Sequence, residues 1–122
     1  EIVGKEGYEV VFKKIIPDDG DTLTALLCEL SDEDKADLIL TTGGTGFSKR
    51  DNTPEATMRA VERETPGISE AMRYYSLQIT PRAMLSRGVS GIRKEALIVN
   101  LPGSPKAVRE CGICDRCTDA WN

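Results

Sequence analysis

LILTTGGTGFSKRDNTPEAT, residues 38–57, passes from an apolar run through a glycine-rich loop to a helix start. Leu38, Ile39 and Leu40 lead into Thr41 and Thr42, then Gly43, Gly44 and Gly46, the cations Lys49 and Arg50, and Asp51. The apolar part reads as a short buried strand over 37–42. Thr53 stands at an N-cap position with Pro54 at N1 and Glu55 in the first turn, which predicts a helix over 54–64. Strand, bare backbone and helix N-terminus in succession is the order in which open α/β sheets bind ligands beyond the carboxyl ends of their strands.

Outward from that stretch the alternation continues. Residues 8–16 (YEVVFKKII) are rich in β-branched and aromatic side chains and predict a strand. Pro17-Asp18-Asp19-Gly20 is a turn. Leu23, Leu26, Leu27 and Leu30 fall at helical spacing over 22–30, with Asp19 or Asp21 available as cap. A second helical pattern spans 68–80 behind Pro66-Gly67, and Pro81 ends or kinks it. Residues 87–94, with two glycines, predict a turn or hairpin. ALIVNL, residues 96–101, is a buried strand, followed by Pro102-Gly103-Ser104-Pro105 and a short helix from Pro105. There is no internal repeat and no low-complexity linker. Alternating elements with fully apolar strands predict an α/β domain with a parallel sheet covered on both faces.

The chain has 122 residues, enough for one small domain with a core. Charged residues make up 30% and hydrophobic ones 39%, the balance of a soluble globular protein. A net charge of -4 gives no basic face for nucleic acid and requires any anion site to rely on local donors. No apolar run approaches the ~20 residues of a membrane span, and no signal-peptide pattern opens the chain, so a cytoplasmic location is expected. Glu1 at the start fits a trimmed or fragmentary sequence. The chain contains no histidine, which removes imidazole bases, Ser-His and Cys-His nucleophile pairs and imidazole metal ligands. Chemistry here must come from carboxylates, hydroxyls, lysine, arginine, backbone amides or a borrowed metal ion.

Two strands, 37–42 and 96–101, run into glycine-bearing loops followed by helices. Gly43, Gly44 and Gly46 let backbone amides approach an anion, although two tight turns explain the same pattern as readily. The loop is neither a P-loop, which ends in Gly-Lys-Ser/Thr, nor a GxGxxG dinucleotide fingerprint. Asp51 is a surface charge, an alternative helix cap, or a carboxylate at the mouth of an anion site, where it would hold magnesium against phosphates. Asp18 and Asp19, at the end of the strand expected over 8–16, are turn and cap residues or a second carboxylate source.

TTGGTG at 41–46, RDNTPEAT at 50–57, PGISEAMR at 66–73, LSRGVSGIR at 85–93 and LIVNLPGSPKAVRE at 97–110, in that order, resemble the MogA/MoaB family of molybdenum-cofactor biosynthesis proteins. The same fold occurs as the G domain of gephyrin and of plant Cnx proteins. The resemblance covers about 8–110. It implies a three-layer α/β/α domain with a mostly parallel sheet, commonly a homotrimer. Active members of the family transfer AMP from ATP to molybdopterin with magnesium, giving adenylyl-molybdopterin and pyrophosphate. Some MoaB-type members lack clear activity, which leaves as alternative a non-catalytic molybdopterin-binding or scaffold domain, or an inactive truncated homologue. Adenylyl transfer is in-line displacement at the α-phosphorus, governed by positioning and charge neutralisation, and needs no histidine. By the resemblance, Asp18 and Asp51 match functional aspartates that would bind magnesium and orient the phosphates. Thr42, Gly43, Gly44, Thr45 and Gly46 would receive phosphate groups. Ser86, Asn100, Pro102, Gly103, Ser104 and Lys106 would complete the pterin or nucleotide pocket. Glu70 and Arg73 also lie in a family motif, and their i, i+3 spacing equally suits a helix ion pair.

The family comparison divides the chain into a MogA/MoaB-like molybdopterin-binding domain over 1–110 and an atypical cysteine-containing tail over 111–122. The domain lacks the family's first strand and its Ser-Asp loop. Were these residues a whole polypeptide, the missing central strand would impair or rearrange folding, because its few large side chains rival the ~5–15 kcal/mol stability of a domain. In the tail, Cys111, Cys114 and Cys117 form C-x2-C-x2-C, part of an iron–sulfur run without a nearby fourth cysteine, since Cys28 is distant. An abnormal or truncated terminus accounts for it more simply, and closely spaced thiols suit a reducing compartment better than a disulfide scaffold.

Overall fold

The structure, a computed structural model, describes residues 9–17, 19–104 and 106–107. Its elements run α1 (Gly20–Asp32), β1 (Leu38–Thr42), α2 (Thr53–Ala60), β2 (Arg63–Glu64), α3 (Pro66–Leu77), a 3-10 helix (Pro81–Leu85), β3 (Ser90–Arg93) and β4 (Ala96–Leu101). Asp19 caps α1: its Oδ1 accepts the Asp21 amide at 3.1 Å and its Oδ2 the Thr22 hydroxyl at 2.7 Å. The Thr22 hydroxyl first, then the Asp21 amide, holds the Asp19 carboxyl below its ordinary pKa. Asp19 is therefore the cap of the two candidates and is committed to that role.

The sheet has four strands in the order β1-β4-β3-β2. β1 and β4 are parallel, in register from Leu38↔Leu97 to Thr42↔Leu101. β3 and β4 form the hairpin expected over the second glycine segment, turning at Lys94, whose φ is 54°. β2 adds to β3 antiparallel, so the sheet is mixed, with its parallel character concentrated where the two glycine loops emerge.

Period-two alternation along β4 divides the core. Ala96 and Ile98 pack with Leu27, Leu30, Ile39 and Ala60, the cluster beneath α1 and α2. Leu97, Val99 and Leu101 pack with Met72 of α3 on the opposite face. All six residues of β4 are buried. Helices cover both faces, which is the three-layer α/β/α arrangement the sequence predicts.

Several expectations are corrected. Residues 9–16 form no strand, and Val11 and Ile15 are 61% and 96% exposed. β-branched residues favour a ladder only where a neighbour completes it, and no described strand pairs with them. The helix expected over 54–64 ends at Ala60, and its cap is Asn52 rather than Thr53. Val61 turns extended, and the Glu62 amide donates to Ile92 O at 2.8 Å, so pairing with β3 takes the chain from the helix. Pro66 and Gly67 lie inside the first turn of α3, which ends at Leu77, and the chain reforms as a 3-10 helix from Pro81. Lys106 and Ala107 are helical, with Ser104 Oγ accepting the Ala107 amide at 3.0 Å, in keeping with a helix after the second loop. Cys111, Cys114 and Cys117 lie outside the described residues, as does Asp18.

Candidate functional site

Because β1 and β4 are adjacent and parallel, their carboxyl ends deliver both glycine loops to one edge of the sheet. The loops touch there: the Gly43 amide donates to Leu101 O at 3.1 Å, and a Cβ on Gly103 would lie 3.3 Å from the Gly43 Cα. Gly43 and Gly44 have φ of 86° and 70°, the left-handed region that favours glycine. At Gly44 a side chain is excluded twice, since a Cβ would also overlap Thr53 Oγ1. The amides of Gly44, Thr45 and Gly46 have no protein partner among the described residues.

Asp51 closes this loop on itself. Its Oδ2 accepts the Ser48 amide at 3.0 Å, and its own amide donates to Ser48 O at 2.9 Å. Oδ1 accepts no hydrogen bond among the described residues, so one oxygen of this half-buried carboxylate is uncommitted, while the other lies close to Gly46. That donor set suits magnesium, which takes one or two carboxylates together with substrate phosphates and water rather than a complete protein cage. Among the described residues no group of three or more Asp, Glu or Cys side chains forms such a cage.

A cavity of about 280 Å³ opens beside the loops. Ser69, Met72, Arg73 and Ser76, one helical face of α3, form one wall, and Thr80, Arg82, Ala83 and Leu85 form the next. Thr45 and Gly46 close the side nearest β1, while Ser86, Gly88, Asn100, Pro102 and Ala107 close the side nearest β4. The described lining holds two guanidinium groups, several hydroxyls and no carboxylate. In a chain of net charge -4 this concentrates local donors on one concave surface.

Of the residues singled out in the sequence, Thr45, Gly46, Arg73, Ser86, Asn100 and Pro102 line the cavity. Thr42, Gly43, Gly44, Asp51, Gly103, Ser104 and Lys106 sit on the adjoining strand ends and loops, outside its described lining. Asn100 is 2% exposed and heavily engaged: Nδ2 donates to Thr41 Oγ1 and Thr57 Oγ1, both at 2.9 Å, and Oδ1 accepts the Val89 amide at 3.1 Å. Its amide ties β4 to β1 and α2. Arg73 makes no ion pair with Glu70 among the described residues; its Nη1 donates to Gly88 O at 2.6 Å, because the partner across the cavity is better placed than the one along the helix.

Arg87 was not selected from the sequence, yet its side chain makes three hydrogen bonds at the site, as many as Asn100. Nε donates to Gly46 O at 2.8 Å, Nη2 to Asp51 O at 2.6 Å and Nη1 to Glu55 Oε2 at 2.6 Å. The hydrogen bond from Arg87 holds the Glu55 carboxyl below its ordinary pKa. Ser69, Met72 and Ser76 were missed as well, although their i, i+3, i+7 spacing marks a single helix face.

Residues 1–112 match a family model described as a probable molybdopterin binding domain. The chain is 53% identical over 97 residues to the molybdopterin adenylyltransferase of Escherichia coli K12, covering 80% of this chain and 50% of that protein. It is 54% identical over 105 residues to the Haemophilus influenzae enzyme of the same name, covering 84% and 53%. The solved structure of the molybdopterin biosynthesis Mog protein of Mycobacterium ulcerans superposes with a TM-score of 0.86 at 37% identity, over 98% of this chain and 78% of that one. The chain thus spans about half the length of the curated relatives it matches.

Proposed function

The chain belongs to the molybdopterin-binding domain family, MogA/MoaB-like in fold, and from that premise we propose that it serves molybdenum-cofactor biosynthesis by transferring AMP from ATP to molybdopterin. A phosphate oxygen of molybdopterin attacks the α-phosphorus of ATP. The bond from that phosphorus to the oxygen bridging to the β-phosphate breaks, pyrophosphate leaves, and adenylyl-molybdopterin remains. The observation that carries this reading is the set of uncommitted Gly44, Thr45 and Gly46 amides beside Asp51, at the carboxyl ends of two adjacent parallel strands.

In this scheme the loop amides receive phosphate oxygens, with Thr42, Gly43, Gly103, Ser104 and Lys106 on the surrounding edge. Ser86, Asn100 and Pro102 bound the pocket, Asn100 by holding its strands together. Asp18 and Asp51 are the catalytic carboxylates and the residues that would hold magnesium, which when bound would neutralise phosphate charge. Arg73 and Arg82 supply positive charge to the cavity wall, where preorganised donors act without reorganisation as charge develops.

The test is pyrophosphate release with ATP and molybdopterin. Asp51→Asn, which keeps an acceptor for the Ser48 amide, is expected to lose roughly 10²–10³-fold in turnover while remaining folded. Near-normal turnover would remove Asp51 from the mechanism. Molybdopterin binding by the parent chain without pyrophosphate release would identify a binding module instead.

We further propose a homotrimer acting in the cytoplasm. Tyr74, Leu77, Ile79, Met84 and Leu85 are exposed apolar side chains on α3 and the segment after it, suited to burial against other copies. No described helix is long and apolar enough to cross a membrane. Sedimentation analysis distinguishes a trimer from a monomer directly.

A further inference from the structure

Residues 43–52 leave β1 and reach α2 with few ties of their own: the Ser48–Asp51 turn, the Thr53 amide on Gly44 O and the Gly43 amide on Leu101 O. Arg87 supplies the rest. Its backbone amide donates to Thr45 O at 2.8 Å, and its side chain reaches Gly46 O, Asp51 O and Glu55 with three different nitrogens. One planar fork thereby joins the start of the loop, its end and the first turn of the following helix. Its chain neighbours Ser86 and Gly88 line the cavity, so the same residue fastens the cavity wall to the loop.

We propose that Arg87 is the positioning residue of this site, setting the separation between the Gly44–Gly46 amides and the Asp51 carboxylate. The inference rests on the proposed roles of those groups and adds the element that holds them in register. Guanidinium chemistry is required. A lysine has one ammonium on a flexible stem and cannot bond three acceptors spread along a plane. Displacement of reacting groups by about 1 Å costs roughly 10²-fold in rate, so loosening the fork acts on chemistry without removing any group that touches substrate.

A matched control exists at the far end of β3. Arg93 bonds both oxygens of Asp32 and the carbonyl of Ala60, remote from the cavity lining. The full chain carrying Arg87→Lys is compared with Arg93→Lys by hydrogen exchange, by calorimetric binding of ATP with magnesium, and by pyrophosphate release at varied magnesium. Arg87→Lys is expected to raise amide exchange in 43–52 by at least about 10-fold through local opening, leaving β4 protected. It should weaken ATP–magnesium binding about 10-fold or more and raise the magnesium concentration for half-maximal turnover, with kcat falling more than molybdopterin KM rises. Arg93→Lys should change none of these site readouts. Equal effects from the two variants, or loop exchange unaltered in Arg87→Lys, would overturn the proposal. Absence of pyrophosphate release from the parent chain counts against the proposed reaction alone, because loop exchange and ATP–magnesium binding still decide the role of Arg87.

Discussion

Arg87 precedes β3 by three residues and Arg93 is its last residue, and each makes three side-chain hydrogen bonds. Both hold α2, Arg87 through Glu55 in the first turn and Arg93 through the carbonyl of its last residue, Ala60. Their other acceptors differ. Arg93 takes both oxygens of one carboxylate, Asp32, so it joins two helix ends into a rigid corner. Arg87 takes two loop carbonyls, Gly46 and Asp51, so it orders backbone that has no secondary structure of its own. The same side chain thus stabilises fold at one end and geometry at the other. Substitutions at the far end should lower stability alone, whereas those at the loop end should change ligand binding as well.

The largest effects are expected where a glycine is replaced at each end. Gly44→Ala meets Thr53 and strains a left-handed backbone, at a combined cost of about 2–4 kcal/mol. Gly91→Ala drives a methyl group against Val61 and the Arg63 carbonyl, costing about 1–3 kcal/mol. Denaturant melts give the stabilities, and calorimetry gives ATP affinity per folded molecule. Gly44→Ala should lose both, and Gly91→Ala only stability. Lost ATP affinity in folded Gly91→Ala would break the division between the two ends.

Asn100 tests the middle ground, being buried, inside the sheet and at the cavity. Asn100→Ala leaves the Val89 amide and the Thr41 and Thr57 hydroxyls without their partner, at about 1–3 kcal/mol. Because those bonds join β4 to β1 and α2 behind the loops, the melting temperature should fall and molybdopterin affinity should fall with it. Unchanged affinity in the folded variant would place Asn100 wholly on the stability side.

What the sequence disclosed depended on whether the deciding contact was local. β4 was legible because six buried apolar and polar residues between turn signals have few alternatives. The glycine loop was legible because positive φ demands glycine at Gly43 and Gly44. Residues 9–16 carry similar β-forming side chains, yet propensity supplies only half of a ladder, and they lie outside the sheet. Helix α2 was overextended because a strand partner, Ile92, competes for the chain beyond Ala60. Arg73 misled for a related reason: Glu70 is near along the chain, whereas Gly88 is near only in the fold. The acceptors of Arg87 lie 32 to 41 residues earlier, so no pattern around Arg87 announces its role.

The smallest expected effects come from acid, and they sharpen the comparison because both ends contain a carboxylate paired with arginine. Hydrogen bonding from Arg93 lowers the pKa of Asp32, and hydrogen bonding from Arg87 lowers that of Glu55. A depressed carboxylate contributes stability that is present above its unfolded value, near pH 4, and is lost as pH falls through its folded value. Both pairs are substantially exposed, so solvent and salt screen them and the contributions are modest. Melting temperature should therefore stay level from pH 7 to about pH 5 and decline below about pH 4. Asp32→Asn should flatten part of that decline and leave exchange of the 43–52 amides unchanged. Glu55→Gln should flatten another part and quicken exchange in the loop, since Arg87 would then hold its helix anchor through a neutral acceptor and without the ion pair. If Glu55→Gln leaves loop exchange unaltered, the loop is held by the Gly46 and Asp51 carbonyl bonds alone, and the ordering role belongs to Nε and Nη2 of Arg87.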